Sequence, residues 1–157
     1  MRSLSFTIPL PPRGQSRKQT RVLTDRNGQV VRSAKSGRAV VIHHDSDKQK
    51  QDTRSLEALV YEWKPPAPIE GPVKLLVRAY FPIPKSKPKK WREAALAEQI
   101  RHTGKPDLSN VLKNIEDVMN GVFWRDDSQI VEFLYSTGKY YGDPARYEIE
   151  IQWDGVE

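Results

Sequence analysis

Apolar residues recur at three- and four-residue spacing between Lys105 and Ile130, KPDLSNVLKNIEDVMNGVFWRDDSQI, where Val111, Leu112, Ile115, Val118, Met119 and Val122 share one face. That spacing predicts an amphipathic helix, with Ser109, Asn110, Lys113, Glu116 and Asp117 on its open face. Asp107, after a proline, reads as its N-cap and Asn120-Gly121 as its C-terminal stop. Beyond the stop, Val122 to Trp124 reads as extended, Arg125 to Ser128 as a polar turn and Gln129 to Tyr135 as a strand. Strict alternation predicts a first strand over Leu4 to Ile8, closed by Pro9, Pro11 and Pro12, and a last strand over Tyr147 to Trp153. The β-rich run Val73 to Phe81 predicts a central strand, and Val40 to Ile42 a short one. The last strand is expected to form a hairpin with Gln129 to Thr137. A second helix is expected over 46–63, its stripe being Leu56, Leu59, Val60 and Trp63, before Pro65-Pro66 ends it. A shorter helix is expected over Glu93 to Ile100. These elements give a mixed α/β fold in the α+β sense, with four or five strands packed on two main helices.

Composition narrows the setting. At 157 residues the chain suits a single domain over 1–157, and the proline-rich segment 65–72 is too short to divide it. Cysteine is absent, no apolar run approaches a membrane span, and the opening residues lack a signal peptide's apolar core, so a soluble cytoplasmic protein without membrane attachment is expected. The net charge of +6 is uneven: residues 1–42 hold nine Lys/Arg against one acid, and the remainder is slightly acidic. A basic strand and arm of this kind suits a polyanion, and a solvated arm is the alternative. Arg13, Arg17, Lys18 and Arg21 cluster within it, ahead of a loop or loose hairpin around Asn27-Gly28. A second basic run from Lys85 to Arg92 carries Lys87, Lys89 and Lys90 around Trp91, which suits a strand-gripping flap as well as it suits a helix-entry loop. His43-His44 would point to opposite faces of a strand, which favours ordinary polar residues over a metal site.

The chemistry is expected along 105–130. Twelve helical residues advance about 18 Å and five or six extended residues return about as far. A chain doubling back at Gly121 would bring Asp126 and Asp127 beside Asp107, with the Lys113 side chain leaning toward the same end. Carboxylates, an amide and a lysine at one place suit a magnesium-dependent phosphodiesterase: hard oxygen ligands for the ion and a cation for charge developing on phosphate. The alternative is a capping aspartate, a solvated lysine and two turn-forming aspartates.

Lys105-Pro106-Asp107, Asn110, Lys113, Asp117, Asn120-Gly121 and Asp126-Asp127-Ser128-Gln129 resemble the signature of the RusA family of Holliday junction resolvases, often carried by phages and prophages. The resemblance implies that Asp107, Lys113 and Asp127 are catalytic, with Asp107, Asp127 and Asp126 toward Mg2+ and Asn110 and Asp117 in support. Ser109 stands where the family carries a second aspartate. The resemblance further implies a homodimer that nicks paired strands of a four-way DNA junction, in recombination and repair. Arg13, Arg17, Lys18, Arg21, Lys87, Lys89, Lys90 and Lys105 would then face the DNA. A fork or flap nuclease, and a junction-binding protein that has lost turnover through Ser109, are the alternatives.

Overall fold

The structure, a computed structural model, describes residues 1–15 and 18–155. Among the described residues seven strands and three α-helices follow in the order β1 (Arg2–Ile8), β2 (Gln19–Val22), β3 (Val41–His44), α1 (Asp47–Tyr61), β4 (Val73–Phe81), α2 (Lys89–Leu96), α3 (Leu108–Met119), β5 (Ile130–Phe133), β6 (Gly138–Tyr141) and β7 (Arg146–Trp153). The chain divides into two compact units, residues 1–15 with 55–157 and residues 16–54.

The larger unit is built on β4, as its sequence pattern requires. Val73, Leu75, Val77 and Ala79 alternate onto one face and are all fully buried. Each of Val73, Leu75 and Val77 contributes about 1.5–3 kcal/mol relative to exposure, which is why the strand lies in the middle of the sheet. The sheet is mixed, in the order β1-β7-β4-β5, with β6 also on β4. Strand β7 is antiparallel to both β1 and β4, while β5 and β6 run parallel to the lower and upper halves of β4. The five strands match the expected sheet; the helices number three among the described residues.

The hairpin expected between residues 129–137 and β7 does not form. Its physical reason is the crossover: α2 and α3 separate β4 from β5, and a strand returning through helices lies parallel to the one it left. The chain then occupies one edge of β4 twice, as β5 and β6, and β7 inserts between β4 and β1.

Three element boundaries also differ. Helix α2 starts at Lys89 behind Pro88, because Trp91 packs edge-on against Tyr141 at 5.2 Å and Ala95 is buried four residues later. Lys89 and Lys90 are therefore helical rather than part of a flap. Val122 and Phe123 form a turn rather than an extended segment, their amides donating to the Met119 carbonyl, and only Trp124 is bridged, to Ile69 and Asn120. Phe123 and Trp124 are fully buried, so burial of two large rings outweighs strand propensity there. The segment from Gln129 begins with a 3₁₀ turn, Asp127–Gln129, and is strand only over β5.

In the smaller unit β2 and β3 pair antiparallel, and the chain between them folds back on itself through Asp25, whose carboxylate accepts from the amides of Asn27 and Gln29. Gly28 takes φ +79° at that turn, the loose hairpin expected at Asn27-Gly28. His43 lies within β3, its Nδ1 3.0 Å from Thr20 Oγ1. No helix among the described residues is long and apolar enough to cross a membrane.

Candidate active site

Helix α3 has the predicted face: Val111, Ile115, Val118 and Met119 are buried, and Ser109, Asn110, Lys113 and Asp117 are exposed. Its stop is as expected, with Asn120 as C-cap and Gly121 at φ +75°, a conformation glycine adopts without strain. Asp107 occupies the N-cap position but its carboxylate makes no capping hydrogen bond. The first turn thus keeps its positive dipole end beside an exposed carboxylate whose oxygens are not spent on the helix.

At the other end of the motif the two neighbouring aspartates do different work. Asp126 caps the 3₁₀ turn, accepting from the Ser128 amide at 2.8 Å, and hydrogen bonds from the Ser128 side chain first and then from that amide hold its carboxyl below the usual carboxylate range. Asp127 is half-buried and accepts the indole N–H of Trp124 at 2.9 Å. Gln129 fixes the turn from below: its side-chain oxygen accepts from the amides of Arg125 and Asp126, and its amide nitrogen donates to the carbonyls of Ile69 and Gly71. Trp124 and Gln129 therefore aim Asp127, roles that periodicity alone did not signal.

The Asp127 charge acts on the open face of α3. Lys113 pairs with Asp117 one turn on at 3.3 Å, and its pKa is raised by that hydrogen bond first, with Asp127 and Glu116 adding charge. Glu116 is pushed up from the ordinary carboxylate value, chiefly by burial and then by the Asp127 charge. Gln15 donates a hydrogen bond to Asp117, so the N-terminal segment closes over the same helix face. Arg13 is anchored there through its backbone: its amide donates to the Tyr147 hydroxyl at 2.7 Å, and its carbonyl accepts from that hydroxyl and from Asn114.

Among the described residues no three Asp, Glu or His side chains stand together as a metal-binding group. The donors nevertheless suit a hard divalent ion in kind: an exposed carboxylate at Asp107 kept out of capping, and carboxylates at Asp127 and Glu116 that repel one another and would be relieved by a cation. Ser109, two residues past Asp107, is exposed on the same turn.

The strain at Glu116 gives a stability prediction. A carboxyl whose pKa is raised on folding holds its proton more tightly in the folded chain, so the stabilising effect of that proton is complete below the unfolded value and is lost as pH rises through the folded one. Glu116→Gln is therefore expected to raise the melting temperature at pH 7.5 in metal-free buffer by about 2 °C, and to leave it unchanged near pH 4. Scanning calorimetry at both pH values checks this; equal shifts at the two would assign the effect to packing.

The candidate DNA contacts are spread more widely. Lys18, Arg21, Lys90 and Lys105 are exposed, Lys87 lies 4.9 Å from the centre of the Trp91 ring, and Lys89 pairs with Glu93 at 3.8 Å. Arg17 lies outside the described residues.

The chain matches the family described as "Endodeoxyribonuclease RusA" over residues 9–152. It is 31% identical over 154 residues to the "Uncharacterized protein YqaN" of Bacillus subtilis (strain 168), covering 97% of each chain. It is also 33% identical over 108 residues to the "Crossover junction endodeoxyribonuclease rusA" of Lactococcus phage r1t, covering 67% of this chain and 74% of that protein.

Proposed function

The chain belongs to the RusA family of endodeoxyribonucleases, and from that premise we propose that it resolves four-way DNA junctions by magnesium-dependent nicking of paired strands. What supports this reading is that the Asp127 charge acts on both Lys113 and Glu116 of α3, the helix that starts at Asp107, whose carboxylate makes no capping bond. A single endonuclease domain working as a homodimer in the bacterial cytoplasm completes the proposal, since a twofold pair of sites suits a substrate with two strands to cut.

Nucleases of this family are generally dependent on divalent metal, and Mg2+ is the ion proposed here. Asp107 and Asp127 would hold it, with Asp126 or Asn110 assisting. Bound there, such an ion supplies an activated water and neutralises charge on the scissile phosphate. The chain's own residues do the rest. Trp124 and Gln129 keep Asp127 aimed, and Asp117 holds the Lys113 ammonium, which stays protonated at working pH to meet negative charge as it grows on the phosphate. Arg13, Arg17, Lys18, Arg21, Lys87, Lys89, Lys90 and Lys105 would offset the repulsion between a carboxylate site and the DNA backbone. Cleavage gels on junction, fork and duplex substrates test this: junction cleavage only with magnesium supports it, while preferential cutting of forks favours a flap-type nuclease.

Ser109 supplies a neutral oxygen where a carboxylate would be favoured by the helix dipole, so the ion should be held weakly. Ser109→Asp is expected to lower the magnesium concentration for half-maximal cleavage severalfold. No shift, or a slower variant at saturating magnesium, would mean that Glu116 or Asp117 already provides the charge.

A further inference from the structure

Asp107 is only as well placed as the loop that delivers it, and that loop is tied to the end of the sheet by one lysine. Lys139 on β6 donates from its ammonium to the Gly104 carbonyl at 2.6 Å and to the Pro106 carbonyl at 2.9 Å. The second of these is the carbonyl of the peptide that enters Asp107. The surroundings fix the lysine in turn. The Arg101 guanidinium donates to the Lys139 carbonyl at 2.7 Å and lies over the Tyr140 ring at 3.7 Å. It crosses Gly138 so closely that a Cβ there would fall 2.6 Å from Arg101 Nη2. His102 stacks on Phe81 at 3.8 Å between ring centroids, and burial with the Lys139 charge holds its pKa below the ordinary value. The N-terminal segment also lies against this region: a Cβ on Gly14 would lie 2.8 Å from Pro106 Cβ, and the Gln15 amide donates to the Asn110 carbonyl in α3 at 3.1 Å.

We propose that Lys139 is the positioning residue of the active site, holding residues 104–106 by a two-carbonyl clamp so that Asp107 enters α3 with its carboxylate turned away from capping. This rests on the reading of Asp107 as catalytic. A charged donor shared by two carbonyls is stronger than a neutral one, and the shorter glutamine side chain does not reach both. The clamp acts on geometry: a displacement of about 1 Å at a reacting group can cost about a hundredfold in rate without touching substrate affinity.

The test compares wild-type protein with Lys139→Gln, Lys139→Arg and Asp107→Asn. Amide exchange is read across residues 101–108, and kcat and junction affinity are read in parallel. Lys139→Gln is expected to speed exchange at Gly104, Lys105 and Asp107 while β4 stays protected, to lower kcat about tenfold or more, and to leave affinity within about twofold. Lys139→Arg should restore part of both losses. Where Lys139→Gln does not fold, Lys139→Met takes its place, with β4 exchange as the internal standard. Unchanged exchange in the loop, or an affinity loss that accounts for the whole rate loss, overturns the proposal; the latter would make Lys139 a DNA contact. Failure of the catalytic reading itself is seen separately, as cleavage by Asp107→Asn, and leaves the exchange result to decide the clamp.

Discussion

Asp127→Asn is expected to lower junction cleavage about a thousandfold or more, the order reached when a preorganised electrostatic partner is removed, while junction binding survives or tightens. The substitution is nearly isosteric. Its side-chain oxygen can still accept the Trp124 indole N–H, so the 3₁₀ turn and the buried ring beneath it should stay in place. What disappears is a negative charge that faces Glu116 and Lys113 and, in use, the phosphate backbone. Removing it relieves repulsion, hence the unchanged or tighter binding. Asp107→Asn should behave alike for a different structural reason: the Asp107 carboxylate makes no capping bond, so its loss should cost little of the roughly 1 kcal/mol that a working N-cap contributes. Single-turnover cleavage and binding without metal measure the two effects; near-normal turnover in either variant would remove that residue from the site.

Lys113→Ala is expected to lower kcat about a hundredfold and to change junction affinity only slightly. A contact that strengthens as charge grows on the phosphate acts on rate, whereas a uniform clamp acts on binding. Lys113 is exposed and paired with Asp117 one turn away, a pair of small stabilising value on a helix surface, so the variant should fold normally. Its raised pKa keeps it charged through any practical assay, and no loss of activity from its deprotonation is expected near neutral pH. A variant that binds weakly but cuts at the normal rate would make Lys113 a backbone clamp instead.

Much of the scaffold for these residues was legible in the chain. The period of α3, its Gly121 stop and the alternation in β4 and β7 are local patterns that burial enforces directly, and all three elements appear where periodicity places them. Strand pairing was less legible. Whether β7 joins its sequence neighbour or inserts between β1 and β4 depends on contacts far apart along the chain, which no window of residues contains. Arithmetic on helix advance and strand return placed Asp126 and Asp127 beside Asp107, and it assumed an extended Phe123-Trp124. Two fully buried rings turn the chain close to the helix end, and the Asp127 charge acts on Glu116 and Lys113. The Gln15 contact with Asp117 and the Lys139 clamp join residues more than thirty positions apart, so only the folded chain displays them.

The most direct test of the account is cleavage of a synthetic four-way junction by the wild-type chain and by Asp127→Asn, with magnesium added or chelated. Paired nicks that need magnesium and vanish in Asp127→Asn, with junction binding retained, are the expected result. Cleavage that continues in the chelator or in Asp127→Asn would contradict the assignment of hydrolysis to this site.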